Sequence, residues 1–257
     1  MEKSRPRILV TNDDGIHAPG IYALYEAMKE IGDPYVVAPD SERSAVGHAI
    51  TLSDPLRVWE FERNGHFFGW AVNGTPADCV KLGVKAILNF QPDLVVSGIN
   101  QGPNTALNVI YSGTVSAATE GTIMGIPSIA FSLTSFRRDD FSVATRFAKQ
   151  LARTVLKHGL PPGTLLNVNI PALPASEIKG IRITRQGRGR YEEYFEKRTD
   201  PMNRVYYWLS GTKLFLDTED DVDEVAISQH YISITPLQFD LTDYKMLEEL
   251  KNWEIEF

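Results

Sequence analysis

Residues Arg7–Thr11 read RILVT, a short, continuously apolar and β-rich run that ends at Asn12-Asp13-Asp14-Gly15. A run of this kind is a buried strand, and it constrains the chain more than any other feature, because strands buried on both faces belong to parallel sheets covered by helices. The pattern then repeats. Pro19 and Gly20 introduce IYALYEAMKEIG, apolar at helical spacing and ended by Gly32, and Tyr35–Ala38 is a second strand followed by the polar loop PDSERSAVGHA. Helical spacing over Asp78–Asn89 precedes a strand at Asp93–Ser97, and a small-residue helix over Val115–Met124 precedes a strand at Ser128–Ser132. An amphipathic helix over Phe141–His158 and a strand at Thr164–Ile170 complete the series. Strands alternating with helices predict an α/β fold built on a doubly wound, mostly parallel sheet.

After about Gly180 the rhythm stops. ITRQGRGRYEEYFEKRTDPMNRVYYWLSG mixes aromatics, charges and glycines, and predicts hairpins or extended arms. Tyr231–Pro236 is a late alternating strand and Asp243–Trp253 a closing helix, while the acidic tract Asp217–Glu224 reads as a solvated loop. The chain therefore divides into an α/β core over residues 1–185 and, over 186–257, an arm region with C-terminal β-hairpin arms, a return strand and a closing helix. Tyr191, Tyr194, Phe195, Tyr206, Tyr207 and Trp208 need apolar partners that a projecting arm cannot supply alone. Exchange of arms between identical subunits would supply them, so a homodimer or homotetramer is expected.

The net charge is −7 and no Lys/Arg block stands out, so a nucleic-acid polymer is not an expected partner. A small anionic substrate stays open, because a metal and backbone amides can supply local positive charge. The single cysteine, Cys79, rules out an internal disulfide and a cysteine-based zinc site, and reads as a small buried residue. Met1–Arg7 is polar with no signal-like apolar run behind it, and no stretch approaches the roughly 18 apolar residues of a membrane span. No membrane association is expected, and the reading is cytoplasmic.

In doubly wound folds ligands bind beyond the carboxyl ends of the strands. There the first strand places Asn12, Asp13 and Asp14, the second Ser41, Glu42, Arg43 and Ser44, and the strand DLVVS leads to Asn100, Gln101, Gly102 and Asn104. Adjacent carboxylates at a strand end are costly unless something cationic neutralises them, and no Lys or Arg neighbours Asp13 and Asp14 in sequence. A hard divalent cation with oxygen ligands, Mg²⁺ or Mn²⁺, answers that cost; helix capping is the simpler alternative. Tyr111-Ser112-Gly113-Thr114 precedes a helix, and Ser112 or Thr114 at its N-terminus, with Gly113 allowing close approach, would make an anion site. A metal beside a phosphate cradle points to phosphoryl chemistry, in which Asp13 or Asp14 orients or deprotonates a water and Asn12, Asn104, Ser112, Gly113 and Thr114 hold phosphate oxygens.

GxGxxG, GxxxxGK[ST] and GxSxG are absent, and Asp13-Asp14 is not the Asp-x-Asp of phosphatases that form an aspartyl-phosphate. The rival readings are a covalent nucleophile on Asp13 or Asp14, and a nucleotide-binding sensor without catalysis. His17 and His48 lie in site-forming loops and are candidates for proton transfer, against a default as loop residues. Tyr206, Tyr207 and Trp208 are candidates for stacking a base, against an interface cluster.

ILVTNDDGIHAPGIYAL, VVAPDSERSAVGHAIT, GTPADCVKLG and PDLVVSGINQGPNTALNVIYSGTVSAATEGTIMGIPSIAFS together resemble the SurE survival-protein family, and LLNVNIP, DPMNRVYYW and YISITPLQFDLT continue the likeness in order. The resemblance spans nearly the whole chain. It implies a Rossmann-like core with arms exchanged between subunits. It also implies a metal-dependent acid phosphatase acting on nucleoside 5′- and 3′-monophosphates, with one divalent cation per subunit. By motif position the metal ligands fall on Asp13, Asp14, Ser44 and Asn100; the residues alone do not choose between Ser41 and Ser44. Two positions depart from the family pattern, where His230 and Asn203 stand in place of glycines.

Overall fold

The computed structural model describes residues 4–137 and 140–257. In chain order the first half holds β1 (Arg7–Thr11), α1 (Pro19–Lys29), β2 (Asp33–Pro39), β3 (Val58–Arg63), β4 (His66–Val72), α2 (Pro76–Leu82), β5 (Leu94–Gln101), α3 (Asn108–Tyr111), α4 (Gly113–Ile123) and β6 (Ser128–Leu133). The second half holds α5 (Ser142–His158), β7 (Thr164–Ile170), β8 (Gly180–Ile183), β9 (Arg190–Thr199), β10 (Val205–Leu214), α6 (Asp223–Ser228), β11 (Tyr231–Gln238) and α7 (Tyr244–Leu250). One nine-stranded sheet runs β3-β4-β2-β1-β5-β6-β7-β11-β8, and β9 and β10 form a separate antiparallel hairpin. Pairings from β4 through β7 are parallel; β3 and β11 enter antiparallel to their neighbours β4 and β7.

The period-2 geometry of β1 explains its apolar run. Ile8 and Val10 face the layer made by Ile21 and Leu24 of α1 and Ala144 and Ala148 of α5, while Leu9 faces Cys79 and Val80 of α2 and Ala117 of α4. Helices therefore cover both faces, as in a doubly wound fold. The free Cys79 is buried in the second layer, and burial pushes its thiol well above the ordinary value. Among the described residues no helix is long and apolar enough to cross a membrane.

Some expected elements shift and some are new. The helix expected over Asp78–Asn89 starts earlier, at Pro76, because Thr75 and Asp78 close a capping box, and it relaxes into a π-helical turn over Gly83–Ile87. The hairpin β3–β4 is not among the expected elements, although Asn64-Gly65, both at positive φ, is the favoured two-residue turn. The acidic tract is a solvated loop only over residues 218–221: Asp217, Asp223 and Glu224 are buried, and α6 begins inside it. Beyond residue 186 the β9–β10 hairpin leaves the sheet and α7 buries no residue, while β11 inserts between β7 and β8. At the two positions that depart from the family glycines, Asn203 (φ 61°) and His230 (φ 69°) keep the left-handed backbone.

Candidate active site

Three loops meet at the carboxyl edge of β1, β2 and β5. Asn12 is fully buried, and its Nδ2 donates to the carbonyl of Gly15 at 2.9 Å, so it shapes the turn that presents Asp13 and Asp14. Gly15 sits at φ 92° with its α-carbon against the backbone of Ser41, where a Cβ would come within 3.0 Å, which brings the β1 and β2 loops together. The Arg43 N–H then donates to the Asp13 carbonyl at 2.7 Å, fixing the loop that carries Ser44.

Asp13 is 3% exposed. The Thr114 hydroxyl donates to Asp13 Oδ1, and backbone N–H groups of Thr114 and of Asp13 itself support the carboxylate. Burial nevertheless dominates and raises its pKa, with the Glu42 charge adding to the rise. Asp14 is pushed up to about 7, first by burial and then by the Asp13 charge, against a hydrogen bond from the Gln101 backbone. Among the described residues no basic side chain is among the groups that set either carboxylate.

The Tyr111–Thr114 segment is built differently from a free phosphate cradle. Ser112 Oγ caps α4 by accepting from the Val115 N–H at 3.1 Å, and the Thr114 donors are engaged by Asp13. The anion held at the N-terminus of α4 is thus the Asp13 carboxylate. Gly113 is required for this, because a Cβ there would lie 2.7 Å from Asp13 Cβ and 3.1 Å from Pro76 Cγ.

On the β5 side, a register shift between Ser97 and Asn100 turns the strand end, and Asn100 Nδ2 donates to the Gly102 carbonyl at 2.8 Å, leaving Oδ1 as an acceptor. Asn104 is locked in a buried amide network: its N–H donates to Asn169 Oδ1 (2.8 Å), its Nδ2 to Ser132 Oγ (2.9 Å), and its carbonyl accepts from Asn167 and Asn169. Asp223 supports the same loop by accepting the N–H groups of Ala106 (2.9 Å) and Gly187 (3.0 Å), and Gln186 Nε2 donates to the Ala106 carbonyl (2.7 Å). These loop-holding residues lie far away in sequence, and no local signal marks them.

A cavity of about 540 Å³ opens here, and Asp13, Ser44, Asn100, Asn104 and Ser112 line it. Asn12, Asp14, Gly113 and Thr114 are not among the residues that line it. Of the two serines of the β2 loop, Ser44 lines the cavity and Ser41 does not; each hydroxyl donates to a carboxylate, Ser44 Oγ to Glu42 at 2.9 Å and Ser41 Oγ to Asp40 at 2.8 Å. The two loop histidines lie elsewhere: His17 packs edge-on against Phe61, and His48 Nε2 bonds Glu120 Oε2 at 3.0 Å, with Lys81 on the other oxygen at 2.5 Å. Among the described residues no three His, Cys, Asp or Glu side chains gather as a metal cluster. The donors at this edge are two carboxylates, a hydroxyl and an amide oxygen, a hard set that suits Mg²⁺ or Mn²⁺ rather than zinc. Two carboxylates with no basic partner, and the buried Asn12 Oδ1 beside them with no hydrogen-bond partner, among the described residues, fit a cation at this place.

Residues 8–193 match the family described as Survival protein SurE. The chain is 54% identical over 249 residues to the 5′-nucleotidase SurE of Syntrophobacter fumaroxidans, covering 97% of this chain and all of that protein. It is 51% identical to the 5′-nucleotidase SurE of Heliobacterium modesticaldum, covering 96% of this chain and 91% of that one. The crystal structure of the SurE protein from Aquifex aeolicus matches with a TM-score of 0.83 at 45% identity, covering 96% of this chain and 98% of that chain.

Proposed function

This chain belongs to the SurE survival-protein family, and from that premise we propose that it is a metal-dependent 5′-nucleotidase, hydrolysing nucleoside 5′- and 3′-monophosphates to nucleoside and phosphate by attack of water. The pair Asp13–Asp14 carries the reading: two adjacent carboxylates at the ligand-binding edge of the sheet, Asp13 buried and Asp14 half-buried, both pushed up first by burial.

Asp13, Asp14, Ser44 and Asn100 would hold one Mg²⁺ or Mn²⁺. When bound, it would polarise a phosphoryl oxygen and make water a better nucleophile near neutral pH. Asp13 lines the cavity, so its carboxylate is the one in reach of a reacting water, and we assign it the proton. Thr114 holds Asp13 in one orientation, and Asp14 supplies the second negative charge. Ser112 and the Asn104 loop form the wall against which the phosphate rests. The exposed aromatics of β9 and β10 support assembly into a homodimer or homotetramer, and we place the enzyme in the cytoplasm.

Phosphate release from 5′-AMP and 3′-AMP, measured after chelation and after restoring Mg²⁺ or Mn²⁺, tests this. Activity is expected only with the cation present. Full activity after exhaustive chelation would remove the metal, and nucleotide binding without release would make the protein a sensor. Acid trapping of a phosphoenzyme would replace direct attack by a covalent intermediate.

A further inference from the structure

The cavity has two chemically different ends. Its floor is the oxygen-rich set of Asp13, Ser44, Asn100 and Ser112; its outer end is lined by Tyr111, Phe136 and Leu209. These three side chains are 60%, 76% and 57% exposed, an apolar rim beside a polar floor. The rim is seated rather than incidental. Gly102 lies at φ 121° directly under the Phe136 ring, and a Cβ there would stand 2.3 Å from Phe136 Cε1. The backbone after β5 therefore makes room for that ring. Tyr111 immediately precedes the cap of α4, and its carbonyl accepts from the Gly47 N–H at 3.0 Å, so its backbone is tied to the loop that carries Ser44.

Leu209 and Glu193 reach the cavity from the arm. Leu209 pairs with Phe195 and Gly211 with Glu193, so Leu209 and Glu193 are diagonal neighbours on one face of the hairpin. Among the described residues that line this end, Glu193 is the carboxyl-bearing side chain, and a carboxylate offers nothing to a second phosphate while accepting from hydroxyl donors. The volume, about 540 Å³, falls in the range of small-molecule sites.

We propose that Tyr111 and Phe136 form the nucleoside-binding rim, stacking the base of a nucleotide whose phosphate lies on the floor, with Leu209 of the arm as third wall. The assignment rests on the nucleotidase reading for the phosphate end. It moves base stacking away from Tyr206, Tyr207 and Trp208, which do not line the cavity. A stacking rim tolerates any base and favours purines by their larger face.

The test compares 5′-AMP with ribose 5-phosphate, which lacks the base. Tyr111→Ala and Phe136→Ala should each lower the KM ratio of ribose 5-phosphate to AMP by about 10-fold or more, the loss expected for one base–aromatic stack. Tyr111→Phe and Phe136→Tyr should keep the ratio. Calorimetric titration with adenosine should show the same ordering. An unchanged ratio with unchanged adenosine affinity in both alanine variants would overturn the rim, as would a wild-type protein that binds no adenosine. Absence of phosphate release from either substrate would overturn the nucleotidase reading separately, and the adenosine titration would still decide the rim.

Discussion

Gly113 and Asp13 approach so closely that a single added methyl at 113 would stand 2.7 Å from Asp13 Cβ and 3.0 Å from Asp13 Oδ2. Gly113→Ala must therefore displace the carboxylate or tilt α4. The expected result is a loss of about 10-fold or more in kcat/KM for 5′-AMP, with about 1–3 kcal/mol of destabilisation from overpacking. Steady-state kinetics and thermal melts measure both; wild-type turnover would show that Asp13 tolerates movement.

Asp14 makes stability depend on pH and metal together. Its folded pKa, about 7, lies above the ordinary 3.8. A raised folded pKa means that folding favours the protonated form, so this contribution is complete below about pH 3.8 and lost as pH rises through about 7. Metal-free protein should therefore lose Tm across that window, Asp14→Asn should flatten the loss, and Mn²⁺ or Mg²⁺ should reverse it by binding the carboxylate form. Turnover of Asp14→Asn should fall by about 100-fold or more. A metal-free Tm that rises over the window would contradict the burial of this charge.

Asp223 acts at a distance from the cavity. Its carboxylate accepts the Ala106, Gly187 and Glu224 N–H groups, and burial still raises its pKa. Asp223→Ala leaves those donors unmet and should cost about 1–3 kcal/mol. Because Ala106 follows Asn104 and Thr105, the same change should lower kcat/KM severalfold. Denaturant titration together with AMP kinetics would reveal whether loop position and stability move together.

His230 holds a left-handed φ of 69° between α6 and β11. His230→Gly removes the steric cost of that conformation at some cost in unfolded-chain entropy, for a net gain of about 0.5–1 kcal/mol. A lower Tm in this variant would mean that the imidazole makes a contact worth more than the strain.

The β9–β10 hairpin leaves Phe195, Tyr207, Trp208 and Leu209 more than half exposed. Light scattering at micromolar concentration should give at least twice the 28.8 kDa chain mass. A monomer with full phosphatase activity would show that the arm needs no second subunit.

The alternation of short apolar runs with helical spacing was enough to predict the doubly wound core, because a strand buried on both faces leaves an unbroken apolar signature in one chain segment. The same local logic placed Asp13, Asp14 and Asn100 at one edge of the sheet, since strand ends in parallel order face one way. What tertiary structure alone decided is how those groups are used. The donors of Thr114 are engaged by Asp13, across 101 residues. Asn104 is held by Asn167 and Asn169 on β7, and the buried Asp223 of the acidic tract holds the loop at Ala106. Hydrogen bonds between distant segments carry no periodicity and no local composition, so the sequence determined which polar residues gather at the sheet edge, and only packing decided which of their oxygens were already occupied.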